Sequence, residues 1–315
     1  MTNKLYDVLI IGSGPAGLTA SIYASRYKLS NLAIGVLSGG TITYAHEVEN
    51  FPGLPGVSGV ELGQRMLEHA KSLGGEFLGE EVVEVAKAQI EEGEGFKVVT
   101  SGGKEFLAKT LIIATGTERR KLGVPGEEEF LGKGVSYCVT CDANFYKDKV
   151  VVLVGGSNAA CSGAVHLARI CRKVYLIYRR STLRAEPVWV EEVKRNPKIE
   201  VIYETNVVKI EGDLKVRKVV LDKPYQGRGE LEIDGVFVEI GGVPASELAK
   251  KLGVELDGEG YIKVNESTQT NVPGVFAAGD VTDKSKVLAQ VITACAHGAV
   301  AANSVFEYLK KGLKI

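Results

Sequence analysis

The sequence lacks any long apolar run near its start, and its charges almost cancel. The longest apolar stretch there, residues 8–11, is too short for a secretory core or a membrane span. With 38 Lys and Arg against 39 Asp and Glu, the net charge is −1, which gives no bulk attraction to nucleic acid or to an anionic membrane. A single tryptophan and no stacking array of tyrosines give nucleic-acid binding no motif. We therefore expect a cytoplasmic protein that binds neither nucleic acid nor membrane.

Cysteine is also scarce, with five residues in the chain. An odd number in a reducing compartment argues against a structural disulfide framework. Cys161, Cys171 and Cys295 are scattered along apolar helical patterns, which predicts buried and unreactive thiols. Only Cys138 and Cys141 lie close together in the sequence, so any pairing is expected to be catalytic.

Glycine, in contrast, is abundant, with 38 residues in 315 against an average usage of roughly 7%. One cluster follows the apolar residues 8–11 and precedes a helical pattern over residues 16–27. A second follows residues 149–154 and precedes a helical pattern over residues 159–171 and a strand pattern at 173–178. Two such strand, turn and helix units predict two α/β domains, each a parallel sheet flanked by helices.

Turn-rich segments at residues 116–126 and 239–246 are the candidate domain boundaries. A buried strand pattern at 275–278 and a long apolar helix pattern at 290–309 follow the second segment. We therefore predict an α/β fold with two Rossmann-like domains, the second inserted into the first. The first is discontinuous, residues 1–118 and 244–315, and the inserted one covers residues 119–243. Alternating β-branched residues at 95–101 and 216–221 predict added antiparallel strands.

The first glycine cluster, Gly12-Ser-Gly14-Pro-Ala-Gly17, has the spacing and the context of a dinucleotide-binding fingerprint. Gly12 permits the tight turn, Gly14 lets the backbone approach a pyrophosphate, and Gly17 lets the helix pack closely on the strand. About twenty residues further on, where an acidic residue would hold the ribose, the chain has Ile-Gly-Val-Leu-Ser over residues 34–38. The ribose contact must therefore come from elsewhere.

The second cluster, Gly155-Gly-Ser157-Asn-Ala-Ala, has serine in place of the middle glycine. Three arginines, Arg179, Arg180 and Arg184, follow the next strand, where the ribose of a bound nucleotide would lie. Guanidinium groups match a 2′-phosphate bidentately, so this pattern favours NADPH. The alternative is that the three arginines are solvated surface charges.

The pair Cys138-Val-Thr-Cys141, followed by Asp142, is the most informative constellation. Two cysteines at this spacing can close a small disulfide at the start of a helix, and an adjacent carboxylate can carry the proton that thiol–disulfide exchange releases. Zinc would need four ligands, and the sequence has neither a second cysteine pair nor histidines at ligand spacing. The pair therefore favours redox chemistry over a metal site.

Taken together, these motifs resemble the low-molecular-weight thioredoxin reductases, the bacterial and archaeal type of flavoprotein, over nearly the whole chain. Besides the first fingerprint and the Cys pair, the resemblance rests on four further segments: Glu47-Val-Glu-Asn-Phe-Pro-Gly53, Ile112-Ile-Ala-Thr-Gly116, Arg179-Arg180 with Arg184-Ala185, and Thr270-Asn-Val-Pro-Gly-Val-Phe-Ala-Ala-Gly-Asp280. It implies a thioredoxin-disulfide reductase with FAD and NADPH as cofactors, a thioredoxin or glutaredoxin-like protein as partner, and a homodimer.

The resemblance also implies roles for individual residues. Cys141 would be the sulfur next to the flavin, Cys138 the sulfur that exchanges with the partner, and Asp142 the proton donor. Asp280 would contact the ribityl and phosphate part of the flavin. The remaining flavin positions are Gly12, Gly14, Gly17, Gly40, Thr41, Asn50, Thr115, Gly116, Gly279 and Gln290. The nicotinamide positions are Gly155, Ser157, Asn158, Ala159, Arg179, Arg180 and Arg184.

Departures from the family pattern fall mostly on the nicotinamide site. There, Ser157 replaces a glycine, and Tyr178 replaces the histidine that usually precedes the arginine pair. Near the flavin, Thr41 replaces the usual glutamine, and Ala289 stands where arginine is common. Relatives with altered second fingerprints take electrons from ferredoxin or a deazaflavin, so these donors remain an alternative to NADPH. A non-enzymatic redox sensor, whose Cys pair reports oxidation, is the alternative from another functional class.

Overall fold

The computed structural model describes residues 4–91 and 93–312 and has the α/β fold that the sequence predicts. The chain divides into two compact units, Met1–Glu118 together with Pro244–Ile315, and Arg119–Val243. The described strands are β1 Leu5–Ile11, β2 Asn31–Ile34, β3 Glu76–Leu78, β4 Val82–Ile90, β5 Gly93–Thr100, β6 Glu105–Ile113, β7 Thr117–Arg119, β8 Val135–Ser136, β9 Val150–Gly155, β10 Lys173–Tyr178, β11 Ile199–Tyr203, β12 Val207–Gly212, β13 Val216–Tyr225, β14 Arg228–Glu232, β15 Gly235–Glu239, β16 Gly242–Pro244 and β17 Val275–Ala277. The described α-helices are α1 Pro15–Arg26, α2 Gly59–Ser72, α3 Val139–Asp142, α4 Asn158–Ile170, α5 Pro187–Arg195, α6 Glu247–Lys251 and α7 Val291–Gly312.

The first unit is built on a sheet of order β3-β2-β1-β6-β5-β4, with β17 also paired to β6. β1 lies parallel to β2 and β6 at the centre, whereas β4 and β5 add an antiparallel edge. The central strand is apolar on both faces because both are covered, and Val8, Leu9 and Ile10 are fully buried. Alanines of α1 and α7 pack into one cluster on the same face of this sheet. The turn from β1 into α1 thus sits at the carboxyl end of the central strand, where open α/β sheets bind ligands.

The second unit has a parallel sheet of order β11-β10-β9-β15-β8. Helices α4 and α5 pack on one face. The antiparallel sheet β12-β13-β14 packs on the other, burying residues such as Ile210 and Val219. The strand order reverses between β9 and β15, which makes their carboxyl ends the expected ligand crevice of this unit.

The short strands β7 and β16 pair with each other as a two-stranded sheet where the chain passes from one unit to the other. Every strand and helix that the sequence patterns predict is present, with ends shifted by at most a few residues. No helix within residues 4–91 and 93–312 has the length and apolarity needed to cross a membrane.

Candidate active site

The first glycine turn has the geometry of a phosphate cradle. Gly12 has φ of +115°, and a Cβ there would lie 2.1 Å from the carbonyl oxygen of Ala114, so no other residue fits. A Cβ on Gly17 would lie 2.0 Å from the Gly12 carbonyl oxygen, because α1 packs tightly on the turn. Gly14 differs: its φ of −78° suits any residue, and its Cβ would meet nothing closer than 3.8 Å. The side of Gly14 is therefore open, and no side chain caps the first N–H groups of α1.

Asp280 follows β17 and carries a carboxylate that the protein itself leaves unpaired. It is half-buried, and its side chain has no hydrogen bond or ion pair with the described residues. Burial raises the pKa of Asp280, and no neighbouring cation counters this. A partly desolvated carboxylate without a protein partner fits the hydroxyl groups of a bound ligand.

The other positions that the sequence predicts to contact the flavin are brought together only in part. The side-chain amide of Asn50 donates to Gln290 Oε1 at 3.1 Å, joining two positions far apart in the chain. Gly40 lies against Gly14, since a Cβ on Gly40 would be 2.8 Å from the Gly14 Cα. Thr41 is exposed beside it, and Gly279 begins the turn that carries Asp280. Gly116 has φ of +67° and open space at its Cβ position, whereas the Thr115 hydroxyl is used in a 2.6 Å bond to the Ala245 carbonyl oxygen.

The sequence has no acidic residue after β2 to hold the ribose, but the structure contains a candidate partner there. The Ser38 Oγ is buried and has no hydrogen-bond partner within the described residues. Its neighbour Gly39 donates its N–H to the Ser13 carbonyl oxygen at 2.9 Å, so this loop lies on the first glycine turn. A lone serine gives no sequence signal, because serine is common in exposed turns.

The second glycine turn keeps the same backbone despite its serine. Gly155 has φ of +149°, and its Cβ would be 2.2 Å from the Glu239 carbonyl oxygen. Ser157 has φ of −96° and ψ of −175°, close to the −78° and −175° of Gly14, so this backbone tolerates a side chain without strain. The Ser157 side chain is exposed and makes no capping bond. The Tyr178 ring covers Gly156, whose Cβ would lie 2.5 Å from it.

The segment that carries the three arginines, residues 179–184, and the residues after it are hydrogen-bonded to this second turn. The Arg184 N–H donates to the Gly156 carbonyl oxygen at 2.7 Å, and Asn158 Oδ1 accepts the Glu186 N–H at 2.7 Å. The guanidinium groups of Arg179, Arg180 and Arg184 are exposed and have no ion-pair partner among the described residues. They therefore remain available to an anionic ligand. Ala159 is exposed in the first turn of α4.

Cys138 and Cys141 form a disulfide with a Cα–Cα distance of 5.3 Å, at the start of α3. Cys138 is half-buried and Cys141 is exposed. The Cys141 N–H donates to the Cys138 Sγ at 3.2 Å, and the Cys138 N–H donates to Ser136 Oγ at 3.0 Å. An N–H directed at one sulfur stabilises negative charge there once the pair is reduced. Asp142, the next residue, is half-buried.

The remaining cysteines are not part of this centre. Cys161 and Cys171 are fully buried, as predicted, and burial raises the pKa of each thiol to about 11. The prediction of a buried thiol is wrong for Cys295, which is only half-buried. It lies on α7 at the edge of the apolar cluster that includes Leu18 and Leu62. Burial nevertheless raises its pKa. Within the described residues no three His, Cys, Asp or Glu side chains come together as a metal site.

Comparison with known proteins agrees with this geometry. Residues 6–298 match the family model described as pyridine nucleotide-disulphide oxidoreductase. The chain is 42% identical to the thioredoxin reductase of Bacillus subtilis over 311 residues, which covers 98% of this chain and 96% of the relative. Among solved structures, thioredoxin reductase from Lactococcus lactis is similar at a TM-score of 0.90 and 35% identity, covering 97% of this chain and 99% of that one. Thioredoxin reductase from T. acidophilum is similar at a TM-score of 0.89 and 36% identity, and the match covers 96% of this chain and 98% of that one. The chain therefore belongs to the pyridine nucleotide-disulphide oxidoreductase family and, within it, to the thioredoxin reductases, which use FAD and NADPH to reduce a protein disulfide.

Proposed function

We propose that this protein passes electrons from NADPH through FAD to the Cys138–Cys141 disulfide, and from the reduced pair to the disulfide of a thioredoxin or glutaredoxin-like protein. The observation that carries this proposal is the disulfide itself, closed at a helix start in the unit that also holds the second glycine turn. We further propose that the protein acts in the cytoplasm as a homodimer. The family resemblance supports these two points.

The unit formed by Met1–Glu118 and Pro244–Ile315 would hold FAD. Its residues fit the cofactor: the open side of Gly14 and the uncapped start of α1 offer N–H groups to the pyrophosphate. Asp280 offers an unpaired carboxylate to the ribityl hydroxyls, and Asn50 and Gln290 would border the ring system. Bound FAD supplies two-electron chemistry between a hydride donor and a dithiol. The remaining flavin contacts are proposed for Gly12, Gly17, Gly40, Thr41, Thr115, Gly116 and Gly279.

The unit Arg119–Val243 would hold NADPH. Arg179, Arg180 and Arg184 are free to bind the 2′-phosphate, and charge-assisted contacts of this kind contribute roughly 1.5–3 kcal/mol each. Ser157 adds an exposed side chain where the pyrophosphate approaches, which offsets part of that gain. Gly155, Asn158 and Ala159 complete the proposed nicotinamide site.

The dithiol chemistry proceeds between sulfur atoms. Two electrons and two protons open the Cys138–Cys141 bond and leave two thiols. The Cys138 thiolate, which the Cys141 N–H stabilises, attacks the partner disulfide, forms a mixed disulfide and expels one partner thiolate. The Cys141 sulfur then attacks Cys138, which restores the internal disulfide and releases the second partner thiolate. Asp142, the residue after Cys141, would carry the protons that these steps move.

Turnover with a defined partner tests this proposal. Purified protein is expected to be yellow, to release FAD on denaturation, and to reduce oxidised thioredoxin with NADPH under anaerobic conditions. The matched variant Asp142→Asn keeps the shape of the side chain but removes its proton-carrying carboxylate, and it should slow this turnover while FAD remains bound. A protein that is colourless and cannot be reconstituted with FAD would contradict the whole proposal.

A further inference from the structure

Glu239 is an acidic side chain that directly borders the second glycine turn. It is the last residue of β15 and pairs in register with Gly155 on β9. The two backbones approach so closely that a Cβ on Gly155 would lie 2.2 Å from the Glu239 carbonyl oxygen. Side chains alternate along a strand, so Glu239 shares the face of Phe237, which packs in the cluster formed with α4. Glu239 therefore lies at the carboxyl end of the sheet, on the face where α4 begins.

One oxygen of the Glu239 carboxylate accepts a hydrogen bond from the protein, and the other accepts none from the described residues. Its side chain is only 14% exposed, and Arg119 Nη1 donates to Oε1 at 2.8 Å. Oε2 accepts no hydrogen bond from the described residues. Burial raises the pKa of Glu239 although Arg119 acts to lower it. Because most of the side chain is buried while Oε2 has no donor, a ligand donor or a ligand cation that reaches Oε2 would satisfy it.

Three candidate binding features lie at the carboxyl ends of three neighbouring strands in the sheet of the second unit. The arginines Arg179 and Arg180 follow β10, the phosphate-binding turn follows β9, and Glu239 ends β15. NADPH has its parts in the same order: the 2′-phosphate on the adenosine ribose, the pyrophosphate, and the nicotinamide riboside. A nucleotide that places its 2′-phosphate on the arginines and its pyrophosphate on the turn extends its nicotinamide half toward β15, across the point where the strand order reverses.

We propose that Glu239, positioned by Arg119, receives the nicotinamide riboside half of the nucleotide and favours NADP⁺ over NADPH. This inference rests on the proposed function, because it requires a pyridine nucleotide in this unit. The nicotinamide ring is cationic only in NADP⁺, so a nearby carboxylate attracts the oxidised form more strongly. Transfer of a hydride to the flavin turns the neutral ring of NADPH into that cation. The carboxylate therefore favours electron donation as well as NADP⁺ binding.

Titration calorimetry of the FAD-loaded protein with three probes tests this inference. The probes are NADP⁺, its neutral-ring analogue 1,4,5,6-tetrahydro-NADP, and 2′,5′-ADP, which lacks the nicotinamide half. Glu239→Gln is expected to weaken NADP⁺ binding by about tenfold and the neutral analogue by much less. Affinity for 2′,5′-ADP should not change, which also shows that the crevice is folded. The matched control Glu230→Gln removes an exposed carboxylate paired with Lys218 in the same unit and should leave all three affinities unchanged.

Two outcomes overturn the inference, and they differ from each other. If 2′,5′-ADP binds both proteins and Glu239→Gln binds NADP⁺ within about twofold of the wild type, Glu239 has no role at the nicotinamide end, while the proposed function stands. If the wild-type protein binds none of the three probes, the nicotinamide site of the proposed function fails and this inference fails with it.

Discussion

Gly14→Ala is expected to separate folding from flavin binding. The backbone at Gly14 has φ of −78° and ψ of −175°, which any residue adopts, and the new Cβ would find its nearest neighbour, the Gly40 Cα, at 3.8 Å. The fold should therefore survive. Because alanine restricts the unfolded chain more than glycine, the flavin-free variant should even gain about 0.4–1 kcal/mol in its free energy of unfolding.

The same methyl group should weaken FAD binding. It occupies the open space beside the start of α1, where the pyrophosphate is proposed to approach the backbone. Hydrogen bonds to charged groups contribute about 1.5–3 kcal/mol, so the loss of one or two of them lowers FAD affinity at least tenfold. The control is Gly12→Ala: with φ of +115° and a Cβ 2.1 Å from the Ala114 carbonyl oxygen, it should lose about 2–5 kcal/mol of stability.

The assay is thermal unfolding of the flavin-free proteins followed by circular dichroism, together with FAD titration by fluorescence quenching. The expected result is a Gly14→Ala protein that melts no lower than the flavin-free wild type and binds FAD poorly. A Gly14→Ala protein with wild-type FAD affinity would refute the proposed position of the pyrophosphate. One that is destabilised as strongly as Gly12→Ala would refute the open geometry of the turn.

The remaining predictions concern the second unit. Cys138→Ser and Cys141→Ser should each abolish disulfide reductase turnover. The Cys141→Ser variant should also trap thioredoxin as a stable mixed disulfide, detected on non-reducing gels. Turnover at the wild-type rate by either variant would rule out the dithiol mechanism. Arg179→Ala should raise the KM for NADPH about tenfold or more with little effect on NADH, measured as steady-state kinetics with both donors. Ser157→Gly should tighten NADPH binding in a direct titration, because it removes an exposed side chain from the place where the pyrophosphate is proposed to bind. Weaker binding would contradict that position. Glu127→Ala should lower the free energy of unfolding by about 3 kcal/mol or more in urea denaturation, because its buried carboxylate accepts three hydrogen bonds.

Local patterns in the sequence were sufficient for much of the fold. The apolar run before Gly12 predicts a buried central strand because a parallel strand covered on both faces needs no polar alternation. The Cys138 and Cys141 spacing predicts a disulfide because residues three apart at a helix start come close enough to bond. Both inferences depend on neighbours in the chain, which is why they hold without knowledge of the tertiary structure.

Contacts between distant segments could not be predicted in this way. The Asn50–Gln290 hydrogen bond depends on how the loop after β2 meets the start of α7, and no local pattern encodes that meeting. Arg119 and Glu239 lie in two separate segments that read only as turn-rich boundaries. Their ion pair depends on the pairing of β7, which ends at Arg119, with β16, which follows β15, and no local pattern encodes that pairing. At Ser157 the sequence shows the change from glycine to serine but not its consequence. Only the extended backbone angles of Ser157 show that the turn accepts a side chain without strain.

Electron transfer from NADPH to thioredoxin is tested most directly by anaerobic stopped-flow absorbance of the flavin, with NADPH as donor and oxidised thioredoxin as acceptor. NADPH is expected to bleach the flavin faster than NADH does, and thioredoxin is expected to restore the oxidised spectrum in the wild type but not in Cys138→Ser. If neither nucleotide bleaches the flavin while reduced ferredoxin or a reduced deazaflavin does, the proposed nicotinamide site is contradicted. If the flavin is reduced and thioredoxin never reoxidises it, the proposed disulfide reductase activity is contradicted.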